Sequence, residues 1–402
     1  MPDTNWTTRP WHRDWLQARA TALFDLFQNN AVNPGGGFHD LDAAGRPFGS
    51  IRHIHQTARM VHCFAIATRL GRPGAETIVD HGMRYLWENH RDRKYGGYCW
   101  SVGDEGFKDD SKQAYGHAFV LLAAADAQMI GHPLGKKMLE DVTDVINTRF
   151  WEDYYGAVSE EYARNWAKIS DYRGQNSNMH LTEALMAAFE ATHDAHYLDK
   201  AKRITQLIIG RHAAALDHAV AEHFDEQWKV DRSYKGSDMF RPAGTTPGHW
   251  LEWARLMAQL WVLDQRREKW MIDAAEKLFH SAVARGWDTA KGGFYYTLDF
   301  DNRPAITHKI WWPLTEAIGA AAFLNALKPD RFYEDWYRKL WDFAAIHFID
   351  PANGGWFAEL GSDLKPIDRF FTGKPDIYHA LQACLIPLFP ATGSLMRAVQ
   401  NG

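Results

Sequence analysis

The stretch richest in chemistry reads Arg241-Pro-Ala-Gly-Thr-Thr-Pro-Gly-His249-Trp-Leu-Glu252-Trp. Pro247 and Gly248 disfavour helix upstream, so His249 and Glu252 are expected in a first helical turn, three residues apart and on one face. A base and an acid then stand together where backbone N–H groups and the helix dipole favour an oxyanion or a polyhydroxy ligand. Comparable loop-to-helix junctions recur, with Arg52, His55 and Arg59, Lys112 and Tyr115, Asn176, Asn178 and His180, Trp312 and Glu316, and Asp376, Tyr378 and His379 at similar depth. Two histidines at facing junctions suit proton transfer near neutral pH. Glycoside hydrolysis would instead need a carboxylate pair across a cleft, for which Glu252 and Glu316 are the candidates. No HExxH motif or third ligand at helical spacing occurs, so no metal is expected. His53, His62 and His117 lie off the pattern and are expected to pack rather than react.

The elements that position these residues follow from a repeat. A glycine–aromatic signal recurs at Gly36-Gly37-Phe38, Gly96-Gly97-Tyr98, Tyr155-Gly156, Gly292-Gly293-Phe294 and Gly354-Gly355-Trp356, with a sixth marker expected near His223-Phe224-Asp225. The period is about sixty residues, which divides the chain into six units, each holding two helical patterns. One helix of each unit is amphipathic, as in 75–90 and 333–348, and should face solvent. The other is apolar on most faces and rich in alanine, as at Ala123-Ala124-Ala125 and Ala320-Ala321-Ala322, and should pack in a crowded inner ring. Twelve helices in two concentric rings give an all-α (α/α)6 barrel, a toroid of six helical hairpins. A linear solenoid would need polar capping repeats, and neither end of the chain looks like one. The N-termini of the inner helices converge on one mouth, where the site should lie.

Composition agrees with one catalytic barrel over residues 1–402. The chain has 46% hydrophobic residues and 45 basic against 50 acidic side chains, with no long run of either sign. Neither nucleic acid nor an anionic membrane is an expected partner. Three cysteines lie far apart, which indicates neither a disulfide framework nor a zinc cluster. No secretory signal or membrane span is seen, so a cytoplasmic protein is expected, with oligomerisation left open. The 18 tryptophans suit a carbohydrate pocket as well as a large core.

Several longer stretches carry a resemblance. They are Thr57-Ala-Arg59-Met, Ser111-Lys-Gln-Ala-Tyr115, Tyr172-Arg-Gly-Gln-Asn-Ser-Asn-Met-His180, Thr246-Pro-Gly-His249-Trp-Leu-Glu252-Trp, Trp312-Pro-Leu-Thr-Glu316-Ala and Gly373-Lys-Pro-Asp-Ile-Tyr-His379. In these the chain resembles the N-acylglucosamine 2-epimerase superfamily, and within it the aldose–ketose isomerase branch. The resemblance implies an (α/α)6 barrel, no cofactor, and a small sugar substrate isomerised at C1 and C2. It also implies that Arg59, His180, Glu252, Glu316, His249 and His379 bind the sugar and move its protons, and Arg241 is carried over with them, while Tyr115, Asn178 and Trp312 are expected as further sugar contacts from their place at the helix entries. From the residue types, His249 is expected to transfer the C2/C1 proton through a cis-enediol, with Glu252 orienting it, and His379 to open the ring, the alternative being that the two histidines exchange these roles. The expected reaction is D-mannose to D-fructose, and D-lyxose to D-xylulose. Alternatives are a sulfoquinovose isomerase, a sugar 2-epimerase on the same scaffold, and a non-catalytic interaction protein.

Overall fold

A computed structural model describes residues 5–401. The inner helices α2 (Ile54–Arg69), α4 (Ala114–Met129), α6 (Gln175–Thr192), α8 (Pro247–Leu263), α10 (Trp311–Leu327) and α12 (Ile377–Leu385) each pack on the next, and α12 returns to α2. The outer helices are α1 (Pro10–Asn30), α3 (Ala75–Tyr85), α5 (Gly135–Val145), α7 (Ala195–Thr205), α9 (Lys269–Gly286) and α11 (Arg331–Phe343). The result is the expected (α/α)6 barrel. Four outer helices, α3, α5, α7 and α11, continue into a π-helical segment, such as Leu86–His90 after α3. A thirteenth helix, α13 (Leu395–Asn401), was not anticipated; it packs on α2. The alanines of α4, and Ala184, Ala187 and Ala188 of α6, are buried, which lets these two helices lie close together.

Why the glycine pairs recur is visible in the turn between each outer and inner helix. In the turn after α3, Asp92 N–H bonds the Gly97 carbonyl at 2.8 Å and Gly96 N–H bonds the Asp92 carbonyl at 2.9 Å. Gly96 and Gly97 both have positive φ, 74° and 70°, which a side chain would resist. The aspartate carboxylate then receives a buried lysine from the segment ahead of the next inner helix. Lys112 Nζ reaches Asp92 at 3.0 Å, Lys309 reaches Asp288 at 3.0 Å, and Lys374 reaches Asp350 at 2.5 Å. Each pair ties a turn to the N-terminus of the helix that follows it.

Neighbouring units are joined edge to edge by two-residue antiparallel ladders. Arg52–His53 pairs with Ser101–Val102, Lys112–Gln113 with Glu161–Tyr162, Arg173–Gly174 with His223–Phe224, and Lys309–Ile310 with Glu359–Leu360. Thr245 bridges Leu298 between the fourth and fifth units, and Lys374 N–H bonds the Leu41 carbonyl at 2.8 Å to close the circle. These ladders fix the depth at which every inner helix begins. Among the described residues no helix is long and apolar enough to cross a membrane. The cysteines Cys63, Cys99 and Cys384 are buried and free.

Candidate active site

The inner-helix N-termini surround a cavity of about 420 Å³. It is lined by Arg59 and His55 from α2, Tyr115 from α4, Asn176 and His180 from α6, His249 and Glu252 from α8, Trp312 from α10, and His379 from α12. Met239, Phe240, Phe371 and Phe48 also line it. The ring order puts α8, α10 and α12 on one side and α2, α4 and α6 on the other.

The first side carries two buried imidazoles, each backed by a carboxylate. His249 Nδ1 lies 2.9 Å from both oxygens of Glu222, and His379 Nδ1 lies 2.8 Å from Glu316 Oε1. In a neutral imidazole, a carboxylate that accepts from Nδ1–H leaves Nε2 without a proton. Trp312 packs on both rings, with centroids 4.7 Å from His249 and 6.1 Å from His379. A flat sugar carbon skeleton laid along Trp312 would therefore meet a base on either side.

Beneath the histidines, one buried guanidinium serves three carboxylates. Arg255 Nε bonds Glu316 at 3.0 Å, Nη1 lies 3.4 Å from Glu183, and Nη2 stands 3.8 Å from Glu252. One cation cannot hold three buried anions, and the charges divide unequally. Burial disfavours the charge on Glu316 and on Glu183, but Arg255 with His379 keeps Glu316 ionised, and Arg255, beside the Tyr378 hydroxyl that donates to Glu183, keeps Glu183 ionised. Glu252 is the one pushed well upward, first by burial and then by the charge on Glu316. It enters the cavity as a neutral acid able to donate. His180, 3.6 Å from Glu252, is lowered by burial to about 4 and is neutral as well.

The opposite side is built around Arg59. Its guanidinium bonds Asp376 at 2.6 Å and the Tyr115 hydroxyl at 2.9 Å, and lies 4.4 Å from the Phe119 ring and 4.9 Å from the Tyr378 ring. His55 stacks on Trp100 at 5.0 Å, and burial keeps it neutral.

Several expectations need correcting. Glu252 does not orient His249; Glu222 does, from the ladder of the fourth unit, with its carbonyl accepting from Gln175 N–H. Glu316 lies behind His379 rather than against the cavity. Asn178 is fully buried and spends its amide on the backbone of Val158 and Gly174, while Asn176 lines the cavity in its place. Arg241 turns outward to Glu161 at 3.0 Å and covers the Tyr172 ring. His53 lines the cavity, whereas His62 bonds Asp126 and His117 bonds the Gln113 carbonyl, both as packing residues. The sequence spacing hid two groups whose ligand atoms all lie within 4.8 Å of one another, His180 with Glu183 and Glu252, and Glu252 with Glu316 and His379. Both groups share Glu252, which stands beside the Arg255 charge.

A model of the N-acylglucosamine 2-epimerase family matches residues 36–383. The chain belongs to the N-acylglucosamine 2-epimerase family. Within that family it is 42% identical to a D-mannose isomerase of Thermobifida fusca, over 98% of this chain and 99% of that protein. It is 40% identical to a D-mannose isomerase of Pseudomonas cannabina pv. alisalensis, over 98% and 97% of the two chains. A crystal structure of a D-mannose isomerase superposes with a TM-score of 0.88 at 33% identity, covering 93% of this chain and 97% of that one.

Proposed function

We propose that this chain is an aldose–ketose isomerase that converts D-mannose to D-fructose and D-lyxose to D-xylulose. The observation that carries the reading is the pair of carboxylate-backed imidazoles on either side of Trp312, in a chain 42% identical to a protein named D-mannose isomerase. His379 assists ring opening by moving the proton between O1 and the ring oxygen. In the open aldose, His249 Nε2 takes the C2 proton as the C1 carbonyl becomes a C1–O1 single bond. Glu252, neutral at the start, gives its proton to O1 and takes the one leaving O2. His249 then returns its proton to C1 as the C2 carbonyl forms, and both groups end as they began. Arg59, held charged by Asp376, stabilises the developing enediolate, a preorganised contact commonly worth about 3 kcal/mol.

Charge at the mouth favours a neutral sugar. Lys374 is buried and paired with Asp350 rather than solvated, and Arg59 is already held by Asp376. A sulfonate at C6 would have to draw Lys374 away from Asp350, since Arg59 serves the C1–C2 end of the sugar. Incubation with D-mannose and D-lyxose should yield the ketoses, and in competition with sulfoquinovose kcat/KM should favour mannose. A preference of about tenfold or more for the sulfonated sugar would overturn the neutral-substrate reading.

A further inference from the structure

The hydrogen bonds behind His249 do not stop at Glu222. Gln175 Nε2 donates to Glu222 Oε2 at 2.9 Å, and Trp253 Nε1 donates to Gln175 Oε1 at 2.7 Å. Gln175 and Trp253 are fully buried, Glu222 is nearly so, and none of the three lines the cavity. An indole N–H can only donate, so Trp253 fixes the Gln175 amide with its oxygen inward and its NH2 toward Glu222. A carboxylate receiving that donor is held ionised, and an ionised carboxylate can only accept from His249. Each link thus has one allowed direction.

We propose that Gln175 and Trp253 are positioning residues that lock His249 in the Nδ1–H tautomer, keeping Nε2 open toward the substrate. His379 has no such relay, because its Glu316 is held by the Arg255 cation instead. The proposal rests on His249 being the C2/C1 base. The titratable groups facing Glu222 are His249 from α8, its chain neighbour His223, and the phenols of Tyr172 and Tyr296. His223 is lowered by burial and is committed to Tyr172 and the Pro242 carbonyl, so it does not supply a competing proton.

The test uses Gln175→Met, which removes the amide at nearly constant length, Trp253→Phe, which removes only the indole donor and some bulk, and the double variant. The Gln175 donor matters most when Glu222 is charged and His249 neutral, because no imidazolium then offsets the carboxylate. Its loss should raise the apparent pKa of the pair and move the acidic limb of the kcat profile up by about one unit. Each single variant should lower kcat about tenfold with KM within about twofold. Adding Trp253→Phe to Gln175→Met should cost nothing further, since the indole acts only through the amide. In protein carrying ¹⁵N-histidine, with His249 assigned from a His249→Ala control, the wild type should show the Nδ1–H tautomer and Gln175→Met a mixture. An unchanged tautomer with an unmoved pH profile, or additive losses in the double variant, would overturn the relay. Wild-type protein that makes no ketose from mannose would overturn the isomerase reading instead, and the nitrogen spectra would still decide the tautomer.

Discussion

An imidazole whose Nδ1 is bound to a buried carboxylate can take a proton at Nε2 and return it, because the carboxylate stabilises the imidazolium formed between the two steps. His249 and His379 both have that support, so His249→Ala and His379→Ala should each lower turnover by about 10² or more without unfolding the protein, as kcat and circular dichroism will record. Glu222→Gln should approach the effect of His249→Ala, since an amide both removes the charge and permits the wrong tautomer. Dialysis against a chelator should leave kcat unchanged, because Arg255 already supplies the positive charge at the carboxylates that Glu252 shares with its neighbours. Loss of activity restored by one divalent ion would reassign those carboxylates as ligands. At this scale the sequence was only partly legible. His249 and His379 announced themselves by type and position, but Glu222 lies 27 residues before His249 and reaches it only through a ladder between two units. Glu252, at helical spacing from His249, turned instead toward Arg255 and His180, because α8 also faces the buried charges under the cavity.

The inner helices hold these side chains because their N-termini meet at close range. Gly248, the second residue of α8, lies where a Cβ would stand 2.4 Å from the Trp312 ring and 2.8 Å from Pro313. Gly248→Ala should therefore push α8 and α10 apart at the site and displace Trp312 from both imidazoles. A shift near 1 Å is expected to lower kcat by about tenfold to a hundredfold, with the helical spectrum intact; unchanged kinetics would show that Trp312 does not hold the histidines. Helix positions were legible because the apolar and alanine-rich patterns alternate with the glycine turns. The π-helical ends of the outer helices were not, since they preserve the same composition as the α-helix they extend.

Across the whole molecule, the closed ring leaves one end for substrate, while the C-terminal segment packs near the other. Glu190 on α6 accepts the Ser394 N–H at 3.1 Å just ahead of α13, and burial raises its carboxyl to about 7. A carboxyl raised in the folded state favours folding while protonated, so its contribution is full below its ordinary value near 4.5 and is lost as pH rises through about 7. Glu190→Gln should remove that loss and stabilise the protein above pH 7 by up to about 3 kcal/mol, read from denaturant unfolding at two pH values. Equal pH dependence in the two proteins would show that Glu190 ionises freely. The toroid itself could be read from the sixty-residue repeat, whereas α13, which packs on the inner helix α2, has no place in that repeat and so left no periodic signal. The central claim, that His249 moves hydrogen between C2 and C1 of mannose once His379 has helped to open the ring, is met most directly by following D-[2-¹³C]mannose with the wild-type enzyme by NMR. The account predicts that the label becomes the C2 hemiketal carbon of fructose; a label that stays in an aldose, as C2 of glucose, or that never leaves mannose would contradict it.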